Sequence, residues 1–366
     1  MAKRIVSAIF MLLCALSALA EPIDSSAKAM ILMEYETGRV LYEKNADALL
    51  PIASTTKIMT CLLALENCSF GESVTAGKNA SGVPGTSIYL SEGETLTMEQ
   101  MLYALMLRSG NDAAVAIAEH ISGSEEAFCI LMNARAQEIG AHAYFTTANG
   151  LDKNGNGASA RGITLIAREA MKNEEFRRIV STIKTTIPWV DHEYKRVLTN
   201  KNRLLTTYPG AVGIKTGFTS KAGRCLVFAA ERDGMLVLGA VLSCGDWFDE
   251  AERIMDLGFL EYRMITPLEK GKKVSEKYVS SSAGQKIGII LSGDLSAPIK
   301  SGETYEVRYE IENLTPPIQM GEAVGIAYLS VNGTDIASQM LVSDRTVQEM
   351  TFERAFKDVW LHWPSA

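Results

Sequence analysis

The sequence predicts an α+β fold, an antiparallel sheet flanked by helices and followed by a small all-β domain. Three observations lead there. A strand-turn-strand pattern stands near the front, helical periodicity fills the middle, and a meander of apolar runs closes the stretch before Pro267. Past Pro267 the apolar runs become short and alternating. At 366 residues the chain also exceeds the usual size of one core, which fits a large domain plus a smaller one.

Lys3 and Arg4 precede an apolar run from Ile5 to Leu19, which ends at Ala18-Leu19-Ala20 ahead of Glu21. A charged start, a short apolar run and a small-residue exit form the pattern of a secretory signal peptide, and the run is short for a bilayer span. Residues 1–20 are therefore expected to be a signal peptide, 21–266 the large domain and 267–366 the β-rich one. Export permits disulfides, yet the remaining set is odd: Cys61, Cys68, Cys129, Cys225 and Cys244. All five are expected to be buried structural thiols.

From Ala29 to Lys44 the pattern reads as a hairpin, Met30 to Met33 and Val40 to Tyr42 joined by the turn Glu36-Thr37-Gly38-Arg39. After Pro51, Ile58, Cys61, Leu62 and Leu65 recur at helical spacing. Further helices are expected at 98–107, 112–120, 125–139 and 163–171. Strands follow at Gly213 to Phe218, Cys225 to Ala230 and Met235 to Ser243, the last two joined at Asp233-Gly234, and a helix covers Phe248 to Tyr262. The front hairpin and the rear meander must meet across two hundred residues of chain. Beyond Pro267, Tyr305 to Tyr309 and Ala323 to Val331 alternate like strands, and Asn332-Gly333 supplies a hairpin turn.

Acidic residues exceed basic ones by 43 to 36, for a net charge of −7, and no Lys/Arg run occurs, so a nucleic-acid partner has no electrostatic support. The histidines His120, His142, His192 and His362 are scattered, without the ligand spacing of a zinc enzyme, and no catalytic metal is expected. Gly-x-Ser-x-Gly and the phosphate-cradling Gly-x-x-x-x-Gly-Lys are absent. A serine and lysine chemistry remains.

Three elements occur in order: Ser54-Thr55-Thr56-Lys57, Ser109-Gly110-Asn111 and Lys215-Thr216-Gly217. Each alone is weak, because Ser25 to Lys28, Ser181 to Lys184, Ser330-Val331-Asn332 and Lys300-Ser301-Gly302 mimic them. Context chooses. Ser54 stands where a helix begins, with Lys57 three residues on and on the same face, so the amine reaches the hydroxyl. Ser181 lies in the β-branched run Ile179 to Ile183, which reads as a strand and puts Lys184 on the opposite face. Ser109-Gly110-Asn111 falls between two apolar helices and can carry a hydroxyl and an amide to a cleft wall, or serve only as a capping turn. Lys215-Thr216-Gly217 lies in a strand whose glycine lets a substrate backbone approach the edge.

These motifs and their surroundings resemble the serine-type D-Ala-D-Ala carboxypeptidases, the low-molecular-mass penicillin-binding proteins of peptidase family S11. The likeness extends through Thr37 to Ala46, Pro51 to Thr60, Ser109 to Ala113, Asn149-Gly150-Leu151-Asp152 and Lys215 to Thr219 with Ala222-Gly223. It continues into the tail at Leu314, Pro317, Gly321, Gly325 and Asn332-Gly333. One segment departs: the family's His-x-Ser-Thr-Ala stretch is replaced by Asn156-Gly157-Ala158-Ser159-Ala160.

The resemblance implies a β-lactamase/transpeptidase-like sheet, no cofactor, and removal of the terminal D-Ala from peptidoglycan stem pentapeptides through an acyl-enzyme that penicillin also forms. It implies Ser54 as nucleophile, Lys57 as its base, Ser109 as proton relay and Asn111 as the holder of the substrate amide. Lys215 and Thr216 would bind the terminal carboxylate beside Gly217, and the N–H groups of Ser54 and Phe218 would form the oxyanion hole. It also implies an exported enzyme at the outer face of the cytoplasmic membrane or in the wall. The helically spaced Phe352, Ala355, Phe356, Val359, Trp360 and Trp363 offer a peripheral membrane contact or a closing element for the β domain. A β-lactamase shares the acylation groups, and Glu169 to Asn173 has the spacing of its water-activating pair. Ile163, Ile166, Ala170 and Met171 place that stretch on an amphipathic helix instead. A non-catalytic wall-binding protein would not need Ser54, Lys57 and Lys215 intact.

Overall fold

The computed structural model describes residues 25–151, 155–280, 282, 284–353 and 356. The expected signal peptide and the stripe from Val359 to Trp363 lie outside the described residues. Among the described residues no helix is long and apolar enough to cross a membrane.

A five-stranded antiparallel sheet forms the centre: β1 (Ala29–Glu34), β2 (Val40–Lys44), β3 (Ala211–Thr219), β4 (Gly223–Arg232) and β5 (Met235–Leu242), in the order β2-β1-β5-β4-β3. The front and rear of the chain do meet, with Ala29 opposite Leu242 and Glu34 opposite Val237. β1 is buried along its whole length because both faces of the sheet are covered. One face carries the large helical cluster that includes Ile31, Val227 and Leu238; the other carries a smaller cluster with Met30, Leu226 and Val237. Asp233-Gly234 makes the two-residue turn that the sequence predicts, pairing Arg232 with Met235.

The large cluster is built by α1 (Lys57–Asn67), α2 (Met98–Tyr103), α3 (Asn111–Ser122), α4 (Glu125–Ile139), α5 (Ala160–Ala170) and α6 (Glu174–Ser181). α7 (Leu204–Thr207) and α8 (Trp247–Glu261) contribute to the other face. α2 runs on as a π turn from Ala104 to Arg108, which completes the single helix expected there. α5 begins three residues earlier than its apolar spacing suggests, because the Ser159 side chain caps it by accepting from the Gly162 N–H.

One local expectation is corrected. The run from Ile179 is helical up to Ser181 rather than a strand. Asn173 caps α6 through the N–H groups of Glu175 and Phe176, and Phe176, Ile179 and Val180 bury one face, which outweighs the β propensity of a short branched run. The rejection of Ser181 stands on other ground, since its exposed hydroxyl bonds only the Arg178 carbonyl. None of the five described cysteines forms a disulfide; four are buried and Cys68 is partly exposed.

After α8 the chain enters β6 (Tyr262–Leu268), β7 (Lys273–Tyr278), β8 (Lys286–Leu291), β9 (Leu295–Lys300), β10 (Tyr305–Ile311), β11 (Ala323–Val331) and β12 (Thr334–Ser343). β6 pairs with β9, and the other five form an antiparallel sheet over their own apolar cluster. Asn332-Gly333 joins Val331 to Thr334 as predicted. Arg39 of the front hairpin reaches across to Glu303 and the Pro298 carbonyl.

Candidate active site

Ser54 lies in a short 3-10 turn, Ala53–Thr56, that runs directly into α1 at Lys57. In such a turn side chains at i and i+3 eclipse, which aligns the hydroxyl with the amine more directly than an α-helix does. The turn is fixed locally: the Thr55 hydroxyl donates to the Ile52 carbonyl at 2.7 Å. Ser54 does not act as a helix cap.

Lys57 is fully buried. Its Nζ lies 2.9 Å from Ser54 Oγ, 2.8 Å from Asn111 Oδ1 and 2.5 Å from the Asn149 carbonyl oxygen. A neutral amine has two N–H donors and one lone pair. In that form the two carbonyl-type oxygens take both donors and the lone pair is left for the serine hydroxyl, whereas an ammonium donates to all three oxygens. Asn111 is held in the required orientation because its Nδ2 donates to the Pro84 carbonyl at 2.7 Å. The loop carrying Pro84 is itself anchored by Asp112, which accepts from the Ser87 hydroxyl and from the Ile88 and Leu90 N–H groups.

Burial holds the Lys57 amine well below the usual lysine range, and the charges of Lys215 and Lys201 push it the same way, against a smaller pull from Asp112. Lys215 is also buried and is lowered to about 7 by burial and by Lys201. Lys201, exposed by its accessible surface, is lowered by partial desolvation and by Arg108. Basic groups are thus packed together here, which favours an anionic ligand and holds each amine toward its neutral form.

β3, with Lys215-Thr216-Gly217, is the edge strand beside this turn. Pairing Lys215 with Val227 and Gly217 with Cys225 sets both on the face covered by the helical cluster. Thr216 pairs with Leu226 and sits on the opposite face. A Cβ on Gly217 would come within 2.9 Å of the Ile52 carbonyl oxygen and 3.0 Å of the Ser54 and Thr55 nitrogens. The close approach expected of this glycine is therefore made by the chain's own Ala53–Thr56 turn. Phe218 follows, largely exposed. Ser109 occupies a left-handed position at φ 65° between the π turn and α3, buried two residues before Asn111. Ser54, Lys57 and Asn111 thus share direct contacts, Lys215 and Gly217 close the opposite wall, and Ser109 enters through its neighbour Asn111.

Two participants are not among the residues chosen from the sequence. Asn149 acts through a backbone carbonyl, which no side-chain pattern reveals; its signal is Gly150, where φ is 82° and the chain passes so close to the Ala53 carbonyl that a Cβ has no room. Lys201 reaches the site only through the fold. In the segment that departs from the family pattern, Asn156 Nδ2 donates to Thr56 Oγ1 at 3.2 Å and so braces the Ala53–Thr56 turn. Glu169 is on α5, paired with Arg135 and Lys172 and away from these groups. A cavity of about 490 Å³ lies behind Asn149 and Pro84, lined also by Val115, Glu119 and Thr147 and by none of the motif residues.

Residues 16–245 match the family model described as D-alanyl-D-alanine carboxypeptidase (peptidase S11), and residues 262–349 match the C-terminal domain of penicillin-binding protein 5. A D-alanyl-D-alanine carboxypeptidase of Bacillus subtilis, DacF, is 32% identical over 350 residues, covering 92% of this chain and 90% of that one. The solved structure of penicillin-binding protein 5 from Haemophilus influenzae superposes with a TM-score of 0.75 at 30% identity, over 90% of this chain and 99% of that one. A mutant of the Streptomyces K15 DD-transpeptidase superposes with a TM-score of 0.62 at 35% identity, over 65% of this chain and 99% of that one.

Proposed function

Because this chain belongs to the D-alanyl-D-alanine carboxypeptidase family, peptidase S11, and is a serine-type D,D-carboxypeptidase, we propose that Ser54 is its nucleophile and Lys57, in neutral form, its base. The observation that carries this is the buried Lys57 amine, whose Nζ lies 2.9 Å from Ser54 Oγ and within bonding distance of Asn111 Oδ1 and the Asn149 carbonyl, so that in neutral form it has two acceptors for its two donors and a lone pair left for Ser54. The substrate is the peptidoglycan stem peptide, and β-lactams occupy the same site.

In the first half-reaction the Ser54 oxygen attacks the carbonyl between the two D-alanines as its proton passes to Lys57. The C–N bond then breaks, and the proton goes through Ser109 to the departing amine of the terminal D-Ala. Lys215 binds the terminal carboxylate together with the strand-edge backbone of Thr216, whose side chain stands on the other face, and Asn111 holds the substrate amide. The N–H groups of Ser54 and Phe218 receive the oxyanion; the tight fit of Gly217 against Ser54 supports that pairing. Water, deprotonated by the same lysine, hydrolyses the ester and returns the proton to Ser54. No cofactor enters any step.

The division between the domains falls within β6: Tyr262 and Met264 lie against the cluster under the central sheet, Ile265 and Leu268 lie against the β-domain cluster, and the strand, paired with β9 from Tyr262 onward, runs across the expected boundary at 266/267. We place the enzyme outside the cytoplasm, at the outer membrane face or in the wall, from the signal-like residues 1–20. Peripheral membrane contact through the C-terminal segment rests on Phe352 and Phe356, exposed and stacked with centroids 6.4 Å apart. The activity is tested by mass spectrometry of a purified muropeptide digest: the protein removes one D-alanine from pentapeptide stems, and Ser54→Ala removes none. Equal release by Ser54→Ala would overturn the assignment.

A further inference from the structure

We propose that Cys68, Glu72 and His120 form a transition-metal site, of which zinc is the natural occupant, at the end of the helical cluster remote from the nucleophile. The ligand atoms of the three side chains all lie within 4.8 Å of one another. Nε2 of His120 is 2.7 Å from Glu72 Oε1. Around zinc, with bonds of about 2.0–2.3 Å, tetrahedral ligand atoms stand roughly 3.4–3.7 Å apart, so flexible side chains seat the ion by closing the widest separation by about 1 Å and opening the His120–Glu72 contact by about 0.7 Å.

The donor set is one thiolate, one imidazole and one carboxylate, which suits zinc and disfavours magnesium and calcium, whose sites are made of oxygen. Three protein ligands leave a fourth position for water. Glu72 is pre-set for the role: its second oxygen, Oε2, accepts from the Ser69 N–H at 3.2 Å, which leaves Oε1 turned toward His120. As an ion pair alone, partly exposed Glu72 and His120 would contribute little, and they would not call for a thiol beside them. Cys68 is also the one described cysteine that is not buried.

The position gives the site a purpose. Cys68 follows the last residue of α1, and His120 is in the last turn of α3. The opposite ends of the same helices carry Lys57 and Asn111. An ion here clips together, about 16 Å from the chemistry, the two rods that set the base against its amide partner. The metal touches no substrate. It stabilises the folded enzyme by binding the native state only.

The test is cobalt(II) and zinc titration of the purified, chelator-stripped protein. One equivalent of cobalt produces a thiolate-to-metal charge-transfer band, Cys68→Ser abolishes it, and Glu72→Gln and His120→Ala each weaken binding at least tenfold. Zinc at a hundredfold excess over its dissociation constant raises Tm by about 5 °C in the wild type and not in Cys68→Ser. Penicillin acylation by all three variants confirms that they fold. In the unaltered protein, zinc protects Cys68 from iodoacetamide, read by peptide mass, which removes dependence on any variant. No band, a band indifferent to Cys68 or His120, or unprotected Cys68 at saturating zinc would overturn the site.

Discussion

Gly217→Ala moves the nucleophile without altering any group that reacts. The added methyl would stand 2.9 Å from the Ile52 carbonyl oxygen and 3.0 Å from the Ser54 and Thr55 nitrogens. Ordinary contact begins at 3.4 Å, so the 3-10 turn or the β3 edge must retreat by about 0.5 Å. Both are backbone, so no flexible side-chain end can swing aside. Overpacking of this kind costs about 1–3 kcal/mol, and in a domain of this size lowers Tm by roughly 2–4 °C for each kcal/mol. A 1 Å misplacement of reacting atoms can cost about a hundredfold in rate, which makes about tenfold the expected loss for a shift of this size. The second-order rate of acylation by a fluorescent penicillin measures the loss, and differential scanning fluorimetry measures the Tm. Gly245→Ala is the control, since its methyl meets nothing within 4 Å. An unchanged acylation rate in Gly217→Ala would refute the view that this glycine sets the position of Ser54.

Ser54→Ala loses both penicillin labelling and D-alanine release, whereas Ser25→Ala and Ser181→Ala keep both; labelling that vanished with Ser181 would reverse the choice between them. Lys57→Ala slows acylation by every substrate at least a hundredfold, measured by stopped-flow, and retained acylation would remove it as the base. Lys215→Ala weakens kcat/KM most for peptides with a free C-terminal carboxylate, and an equal loss on the amidated peptide would argue against carboxylate binding. Lys215 is lowered to about 7 in the folded protein, so between pH 7 and the unfolded lysine value near 10.5 the unfolded chain binds more protons, and this group's contribution to stability rises with pH. Lys215→Met is therefore more stable than wild type at pH 7 in urea melts by a margin that shrinks toward pH 10; a margin constant with pH would contradict the buried lysine. Removal of residues from Phe352 onward releases the protein from anionic vesicles in a flotation assay, and flotation unchanged by the truncation would rule out that anchor.

What the sequence reveals follows the range over which each feature is encoded. Ser54 and Lys57 are legible because i, i+3 alignment is local. α4 runs from Glu125 to Ile139 as predicted because Ser124 caps one end and Gly140, at φ 73°, closes the other. Ser181 is misread because branched residues favour strands, while the cap that wins, Asn173, lies eight residues upstream. The carbonyl of Asn149 has no side-chain signature at all. Lys201 and the grouping of Cys68, Glu72 and His120 depend on contacts between distant segments, and the histidine spacing that excludes a zinc-enzyme motif says nothing about ligands gathered from two helix ends. The short strands at Ser73–Thr75 and Thr95–Thr97 escape notice because three residues carry too little alternation.

The protonation state of Lys57 before substrate arrives is directly measurable. With lysine labelled at 13Cε, the Lys57 resonance, assigned by its loss in Lys57→Arg, reports protonation of that one amine through its chemical shift. A titration midpoint well below the ordinary lysine value of 10.5 is expected, with the neutral form present while the surface lysines are still charged. A Lys57 resonance that stays in the charged position until pH 10 or above would mean that the amine cannot take the Ser54 proton, and the assignment of base and nucleophile would fall together.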